Sequence, residues 1–305
     1  MSLSEYKYIV GEYLVNRLAD KIKNKQFVIT GELNPPKGID LESLFKKAEG
    51  LKGCVDAINL TDSAGSNMSM APIAVAKLME DKGTESILQV TCRDRNRIAI
   101  QSELLGASAL GISNILCMSG DPPSGGDHPD SKPVFDIDAV QLLNVINSLN
   151  SGSDMSGNKL NESTDLFAGA VVNPGSEDLD KELARMEQKI EAGASFFQSQ
   201  GIFDVKLFEK FMESANRFNV PVLAGIIVVK SANMARYLNS NLPGVTVTDE
   251  IIDDLESSKD RVESSVKIAG RIIRDVSSLC SGVHIMAIGW ESRIPRIVSE
   301  AGLTE

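Results

Sequence analysis

The sequence predicts an α/β protein folded as one (β/α)8 barrel of the triosephosphate isomerase (TIM) type, with an additional N-terminal helix. Strand-like apolar runs alternate with helical patterns eight times along the 305 residues, and the connections are mostly short. That length is ordinary for one such barrel with an added helix or two. No Gly-x-Gly-x-x-Gly follows any strand-like run, which disfavours a Rossmann sheet. Residues 1–305 are therefore interpreted as a single domain.

Eight apolar runs, each ending in polar, glycine or proline residues, are the predicted strands. The run 221–229 is apolar almost throughout, as expected for a strand buried on both faces. After the first run, Pro35 and Pro36 exclude further strand or helix. The predicted strands are 27–33, 55–60, 86–92, 114–118, 166–172, 195–200, 221–229 and 283–288.

Helices are predicted between these strands from apolar residues at helical spacing. The first, 6–23, precedes strand one and is expected to plug the bottom of the barrel, and Asp40 is placed to cap the second. Residues 150–165 are rich in Ser, Gly and Asn, which predicts a mobile surface loop. One long helix through 262–280 is expected after the Pro243-Gly244 turn. The other predicted helices have apolar stripes within 41–51, 72–82, 98–105, 139–149, 179–190 and 208–218, with short helices after Lys230 and Pro295.

Composition excludes several classes of partner. A net charge of −11 and a pI near 4.9 argue against nucleic acid or an anionic membrane surface as the main partner. The four cysteines form no CxxC-type motif, so we expect reduced thiols in a cytoplasmic protein without a metal site. No stretch has the length and apolarity of a membrane span.

Chemically useful side chains collect where the predicted strands stop. In a parallel barrel all carboxyl ends meet at one face, where barrel enzymes carry their sites. Glu32 and Asp121 would lie across that face, where one carboxyl group can donate a proton while the other stays ionised. Equally open is that each carboxylate caps a loop or pairs with an arginine of segment 93–97. The residues at the strand ends are Glu32, Thr61, Asp62, Gln89, Ser119, Gly120, Asp121, Asn173, Gln200, Lys230 and Trp290.

Three further polar residues suggest other functions. Lys230 follows strand seven and could form a Schiff base as in barrel aldolases, although lysine there is more often solvated or phosphate-binding. His128 lies in an acidic loop, interpreted as flexible rather than metal-binding. His284 lies inside strand eight and is expected to be a satisfied core histidine. Neither histidine accompanies a Ser or Cys nucleophile pattern, so a hydrolytic triad is not expected.

Four segments carry a resemblance to a known family. They are Glu32 followed by Pro35-Pro36, then TCRDRN, then GASALGISNILCMSGDPP, and finally KIEAGASFFQSQGIFD. In this order and at these spacings, the chain resembles the 5,10-methylenetetrahydrofolate reductase family of flavin-dependent (β/α)8 enzymes. The match covers nearly the whole chain, and it implies a catalytic barrel without the regulatory domain of eukaryotic members.

The resemblance implies roles for individual residues. Glu32 matches the family's catalytic glutamate, Asp121 matches the aspartate beside the flavin and the folate pterin, and Gln200 matches the glutamine that contacts the folate. The implied cofactor is FAD in preference to FMN, with no metal. The positions expected to bind the flavin are Thr61, Asp62, Gln89, Ser119, Gly120, Asp121, Asn173, Glu182, Arg185 and Lys189.

These implied roles define a reaction in one-carbon metabolism and methionine biosynthesis, the reduction of 5,10-methylenetetrahydrofolate to 5-methyltetrahydrofolate. Glu32 would be the general acid that opens the ring bridging N5 and N10, and Asp121 would stabilise the iminium cation. The alternatives are a folate- or flavin-binding subunit of a larger methyl-transfer or electron-transfer complex, and an aldolase using Lys230. Assembly as a homo-oligomer or a heteromeric complex is expected.

The chain also departs from the family pattern in ways that concern the electron donor. Gln89 and Ser119 stand where enterobacterial relatives have histidine and arginine. Small residues of the segment 231–233 replace an aromatic residue that stacks on nicotinamide, and Trp290 replaces an arginine after strand eight. We therefore expect NADH or NADPH to reduce the flavin poorly, and a partner redox protein is the other candidate donor.

Overall fold

In the computed structural model, which describes residues 17–303, eight parallel strands close into a barrel. Each strand pairs with its neighbour in sequence, and the last pairs with the first. The predicted (β/α)8 fold is therefore confirmed. The strands are β1 (Val28–Leu33), β2 (Ala57–Leu60), β3 (Ser86–Thr91), β4 (Asn114–Met118), β5 (Phe167–Val172), β6 (Phe196–Gly201), β7 (Val222–Ile227) and β8 (Gly282–Met286).

Helices surround the barrel and bury their apolar faces against it. β2, β3 and β7 have no exposed residue, as expected for parallel strands that are covered on both faces. The described helices are α1 (Arg17–Lys23), α2 (Glu42–Glu49), α3 (Pro72–Glu80), α4 (Arg97–Ala109), α5 (Ala139–Asn150), α6 (Leu179–Glu191), α7 (Val205–Ala215), α8 (Ala232–Asn241), α9 (Asp249–Ser257), α10 (Arg261–Val276) and α11 (Ile294–Glu300).

The bottom of the barrel is closed by α1. Leu18 and Ile22 of this helix belong to a buried cluster with Val28 and Phe196 from the barrel strands. The expected plug is confirmed for the described part of the predicted 6–23 helix, and residues 6–16 lie outside the described residues. A helix able to cross a membrane is absent from residues 17–303.

Two elements differ from the sequence expectation between β7 and β8. The expected single long helix is preceded by α9, whose Ile251, Ile252 and Leu255 are buried. The chain breaks before α10 because the Asp260 side chain accepts the backbone N–H of Glu263 and caps a new helix there. Helix α10 also ends at Val276, so the predicted extension to residue 280 is wrong.

The strand boundaries differ from the predicted ones by at most two residues. Strand β8 ends at Met286 instead of 288 because Ile288 and Gly289 both have left-handed backbone, with φ of 49° and 87°. The segment between Asn150 and β5 lacks helix and strand. The Leu166 N–H donates to the Asn150 side chain at 2.9 Å, which ties one end of the segment to α5. Its mobility stays a prediction.

An irregularity in β6 shapes the rim of the barrel. The register with β7 shifts between Gln198 and Gly201. The Gly225 N–H donates to the Ser199 hydroxyl at 2.9 Å, and a Cβ on Gly225 would lie 2.2 Å from the Ser199 carbonyl oxygen. Only glycine therefore lets β7 approach the irregular part of β6, which carries Gln200.

We expect Gly225→Ala to lower the free energy of unfolding by about 1–3 kcal/mol or more, because backbone atoms of β6 must shift to admit the methyl group. Urea unfolding followed by circular dichroism measures this change. Gly38→Ala is the matched control, since a Cβ on Gly38 meets nothing within 4 Å. Equal stability of the two variants would contradict the close approach of β6 and β7.

Candidate active site

The main cavity of the site, of about 540 Å³, opens at the carboxyl ends of the strands. This size is typical of ligand sites. Every residue that the sequence assigned to catalysis, cofactor or substrate lines it, while Lys230 and Trp290 do not. The assigned residues brought together are Glu32, Thr61, Asp62, Gln89, Ser119, Gly120, Asp121, Asn173, Glu182, Arg185, Lys189 and Gln200.

Glu32, near the end of β1, contacts Gln89 and His284 and does not pair with an arginine. Its Oε2 accepts a hydrogen bond from the Gln89 amide nitrogen at 3.1 Å and lies 3.5 Å from Nε2 of His284. The side chain is 21% exposed. The alternative that Glu32 pairs with an arginine of segment 93–97 is therefore wrong, and its carboxyl group is open to the cavity.

Below Glu32 lies a layer of polar side chains that point into the barrel. Asn59 and Gln198 exchange two hydrogen bonds, at 2.8 and 3.1 Å. The Thr30 hydroxyl lies 2.9 Å from Nδ1 of His284. These four side chains are almost fully buried. Barrel interiors are more often filled by branched apolar residues, so this layer is a distinctive part of the site.

The sequence contains a signal for this layer. Side chains alternate between the two faces of a strand, so a polar residue two positions before a site residue faces the same interior. Thr30 stands two before Glu32, and Gln198 stands two before Gln200. His284, expected to be only a satisfied core histidine, is indeed buried and hydrogen-bonded, yet it also lines the cavity and contacts the predicted catalytic acid.

The turn after β4 places Asp121 at the cavity mouth. Gly120 has a φ of 89°, in the left-handed region, and a Cβ there would lie 3.0 Å from Cβ of Thr91. Glycine is thus required for both conformation and space. The backbone carbonyl of Asp121 accepts a hydrogen bond from the Ser66 hydroxyl at 2.8 Å, which fixes the turn against the β2 loop.

Arg93 also lines the cavity, although the sequence suggested it only as an ion-pair partner. It is buried and donates to the Asp94 carboxylate at 2.7 Å and to the Ser66 hydroxyl at 3.1 Å. The hydrogen bond to Asp94 raises the pKa of the Arg93 guanidinium, and Asp121 adds to that effect through space. Arg93 therefore supplies fixed positive charge close to Asp121.

Asp62 lines the cavity wall but is occupied by protein groups. Its Oδ2 accepts the backbone N–H of Thr91 at 2.9 Å and the Thr91 hydroxyl at 2.8 Å, and it forms an ion pair with Arg95. Arg95 also pairs with Glu103. The sequence suggested pairing with an arginine of segment 93–97 for Glu32 and Asp121, but the ion pair with Arg95 is made by Asp62, where it joins β2 to β3.

Two cations lie on the α6 side of the cavity. Lys189 is buried and donates to the Val171 carbonyl oxygen at 2.6 Å, and burial lowers the pKa of its ammonium group. Arg185 donates to the Asp138 carboxylate at 2.7 Å and remains partly exposed. An anionic ligand would therefore meet two cationic side chains, each positioned by a hydrogen bond to a protein oxygen.

Glu182 on α6 and Gln200 on β6 line the cavity, and each uses one side-chain oxygen to accept a backbone hydrogen bond. The rest of each side-chain head group is left for a ligand. The Asn173 N–H donates to Oε1 of Glu182 at 2.8 Å. The Gly201 N–H donates to Oε1 of Gln200 at 3.0 Å. Since the Gln200 oxygen is used in this way, its amide nitrogen is the group suited to donate to a ligand.

The alternative sites suggested by the sequence lie elsewhere. The Lys230 ammonium donates to the carbonyl of Ile288 and lies 5.4 Å from the centre of the Trp290 ring, outside the cavity. This placement argues against a Schiff-base site. His128 is exposed and hydrogen-bonds Asp127 at 2.8 Å. Within residues 17–303 no cluster of three or more His, Cys, Asp or Glu side chains could hold a metal ion.

Two sequence comparisons with known proteins agree on one family. A family model described as methylenetetrahydrofolate reductase matches residues 17–302. Methylenetetrahydrofolate reductase 2 of Schizosaccharomyces pombe is 25% identical over 94% of this chain and 47% of its own length. Methylenetetrahydrofolate reductase (NADH) 1 of Arabidopsis thaliana is 26% identical over 88% of this chain and 46% of its own. The chain spans about half the length of these relatives.

A solved structure shares the barrel. An uncharacterized protein from Clostridium thermocellum, described as binding two copies of 5-methyl-5,6,7,8-tetrahydrofolic acid, superposes with a TM-score of 0.63 and is 18% identical. The match covers 94% of this chain and 98% of that one. At this identity the likeness shows the fold alone.

We expect Asp62→Asn to lower the free energy of unfolding by about 2 kcal/mol or more, because it removes one of the two carboxylate partners of the mostly buried Arg95. Asp136→Asn is the control, since its pair with Arg97 is largely exposed and should contribute little to stability. Urea unfolding measures both. A stable Asp62→Asn protein would mean that Asp62 is kept for ligand binding instead.

Proposed function

The chain belongs to the methylenetetrahydrofolate reductase family, and from that premise we propose that it reduces 5,10-methylenetetrahydrofolate to 5-methyltetrahydrofolate with a bound flavin. The observation that carries the proposal is the carboxyl group of Glu32, partly exposed to the main cavity and oriented by Gln89 and His284. The names of the relatives and the methyltetrahydrofolate bound by the Clostridium protein support the substrate class. The cytoplasmic location and the assembly state stay predictions.

A flavin fits the chemistry of the residues that line the cavity. The amide and hydroxyl groups of Thr61, Gln89 and Asn173 match the polar edge of the flavin ring, and Arg185 and Lys189 would hold phosphate. When bound, a reduced flavin supplies the hydride that completes the methyl group.

A second cavity favours FAD over FMN. It measures about 760 Å³ and shares Asn173, Glu182 and Arg185 with the main cavity. Lys181 and Gln188 add a positive charge and an amide to its lining. FAD, a dinucleotide that is longer than FMN, would therefore have room and polar partners to continue along α6.

Glu32 acts as the general acid in this proposal. It donates its proton to N10 of the folate as the bond between the methylene carbon and N10 breaks, which leaves an iminium cation at N5. Gln89 holds Oε2 of Glu32 by a hydrogen bond, so the carboxyl group is oriented before the folate arrives. A positioned acid of this kind contributes roughly 10²–10⁴-fold to a rate.

Asp121 and Gln200 have complementary tasks in the same proposal. Asp121, at the glycine turn after β4, places a carboxylate at the mouth where the iminium charge develops, and opposite charge there lowers the barrier. Gln200 binds the folate through its amide nitrogen. Both side chains line the main cavity together with Glu32, so one folate can meet all three.

We expect Glu32→Gln to bind FAD normally yet to reduce methylenetetrahydrofolate at least about 100-fold more slowly, because glutamine cannot donate the proton. A visible spectrum and FAD titration check binding, and stopped-flow reoxidation of reduced flavin by the folate checks the rate. Lys230→Gln is the control, since Lys230 lies outside the cavity. A near-normal rate for Glu32→Gln, or protein that takes up no flavin, would contradict the proposal.

We expect NADH and NADPH to bleach the flavin slowly under anaerobic conditions, compared with dithionite. Ser231 caps α8 and Ala232 is buried, so the 231–233 segment offers no ring to stack on nicotinamide. A missing stacking contact costs about 0.5–1.5 kcal/mol, at most roughly tenfold in affinity. Because Trp290 lies outside the cavity, Trp290→Phe should not change the bleaching rate. Fast, saturable bleaching at low NADH would show that another group holds the nicotinamide.

A further inference from the structure

His284 is a titratable group buried beside the proposed general acid. It is 3% exposed, and its Nε2 lies 3.5 Å from Oε2 of Glu32. Among the described residues, Glu32 provides the only carboxylate within 4 Å of either ring nitrogen of His284. The arrangement arises because β1 pairs directly with β8, with Thr30 opposite His284.

The other ring nitrogen has a neutral partner. Nδ1 lies 2.9 Å from the Thr30 hydroxyl oxygen, and that hydroxyl has the Val283 carbonyl as an acceptor at 3.5 Å. With the hydroxyl proton directed to that carbonyl, the Thr30 oxygen accepts from Nδ1–H. The proton on Nδ1 is then fixed, and Nε2 is the nitrogen that gains or loses a proton beside Glu32.

We propose that His284 stores the proton that Glu32 donates, so that the pair holds one proton between Nε2 and Oε2. This inference rests on the proposed function of Glu32 as general acid. A free glutamic acid loses its proton about two pH units below a free imidazolium, so a lone glutamate is a poor proton source in neutral solution. A neighbouring imidazolium keeps a proton available within one short transfer.

The proton balance over one turnover is simple. The shared proton moves from Nε2 of His284 to Oε2 of Glu32, and the ring is left neutral with its Nδ1 proton in place. Glu32 gives this proton to N10 as the bond between the methylene carbon and N10 breaks, and its carboxyl group is left ionised. A proton from solvent, to which the Glu32 side chain is 21% exposed, restores the pair before the next turnover.

Three cations that line the cavity have partners other than His284. Arg93 binds Asp94, Arg185 binds Asp138, and the Lys189 ammonium binds a backbone carbonyl. Thr30, which contacts Nδ1 of His284, is neutral, and so is Gln198, whose amide nitrogen lies 3.5 Å from the Thr30 hydroxyl oxygen. Glu32 is thus the group expected to govern the charge of His284.

The chain offers a direct spectroscopic test because it contains only two histidines, His128 and His284. In protein labelled with ¹⁵N-histidine, His128→Gln removes the exposed histidine and assigns the remaining signals. We expect Nδ1 of His284 to stay protonated, and we expect the Nε2 signal of Glu32→Gln to lie closer to that of the neutral ring than the wild-type signal does at the same pH. An Nε2 signal that Glu32→Gln leaves unchanged would overturn the inference.

This measurement needs neither flavin nor folate, so it separates the two proposals. If the histidine signals behave as expected but Glu32→Gln still reduces folate normally, the proposed function fails and the shared proton stands. If Glu32→Gln abolishes folate reduction while the histidine signals do not respond, the shared proton fails and the proposed function stands.

Kinetics provide a second readout that a structural role would not move. In His284→Gln, Glu32 must take its proton directly from water, so the rate of flavin reoxidation by methylenetetrahydrofolate should rise about tenfold for each pH unit lowered. The wild-type rate should be nearly level below the midpoint of the pair. A His284→Gln rate reduced by the same factor at every pH would indicate a packing defect and overturn the inference.

Discussion

The pairing of β1 with β8 is the contact on which the site depends. These strands are more than 200 residues apart in sequence, with Thr30 opposite His284 and Gly31 opposite Ile285. Their parallel register places Glu32 beside the imidazole and, at the same time, closes the barrel. Closure also brings the carboxyl ends of all eight strands to one rim, where the side chains of the main cavity come together.

Glycines and buried polar groups then adjust that rim. Gly120 allows the turn that presents Asp121, and Gly225 allows β7 to approach the irregular part of β6. Asp62 uses its carboxylate to hold β2, β3 and Arg95 together. The residues with protein partners therefore keep the cavity in shape, while Glu32 and Asp121 keep carboxyl oxygens for a ligand.

Much of the fold could be predicted from the sequence because apolar strand runs and helical stripes are local patterns. All eight strands, and the twelve assigned residues that line the cavity, follow from that rhythm and from the family resemblance. The helix α9 was missed because its short stripe lies next to a longer one, and the break between them depends on the Asp260 cap. The contact of His284 with Glu32 was missed because it needs the register of the first and last strands, which no local pattern specifies.

Product analysis after a single anaerobic turnover tests the central claim most directly. The flavin of the purified protein is reduced with dithionite, excess reductant is removed, and 5,10-methylenetetrahydrofolate is added. The account predicts that mass spectrometry finds one 5-methyltetrahydrofolate for each flavin oxidised. Flavin that stays reduced, or that is oxidised without formation of the methyl folate, would contradict it.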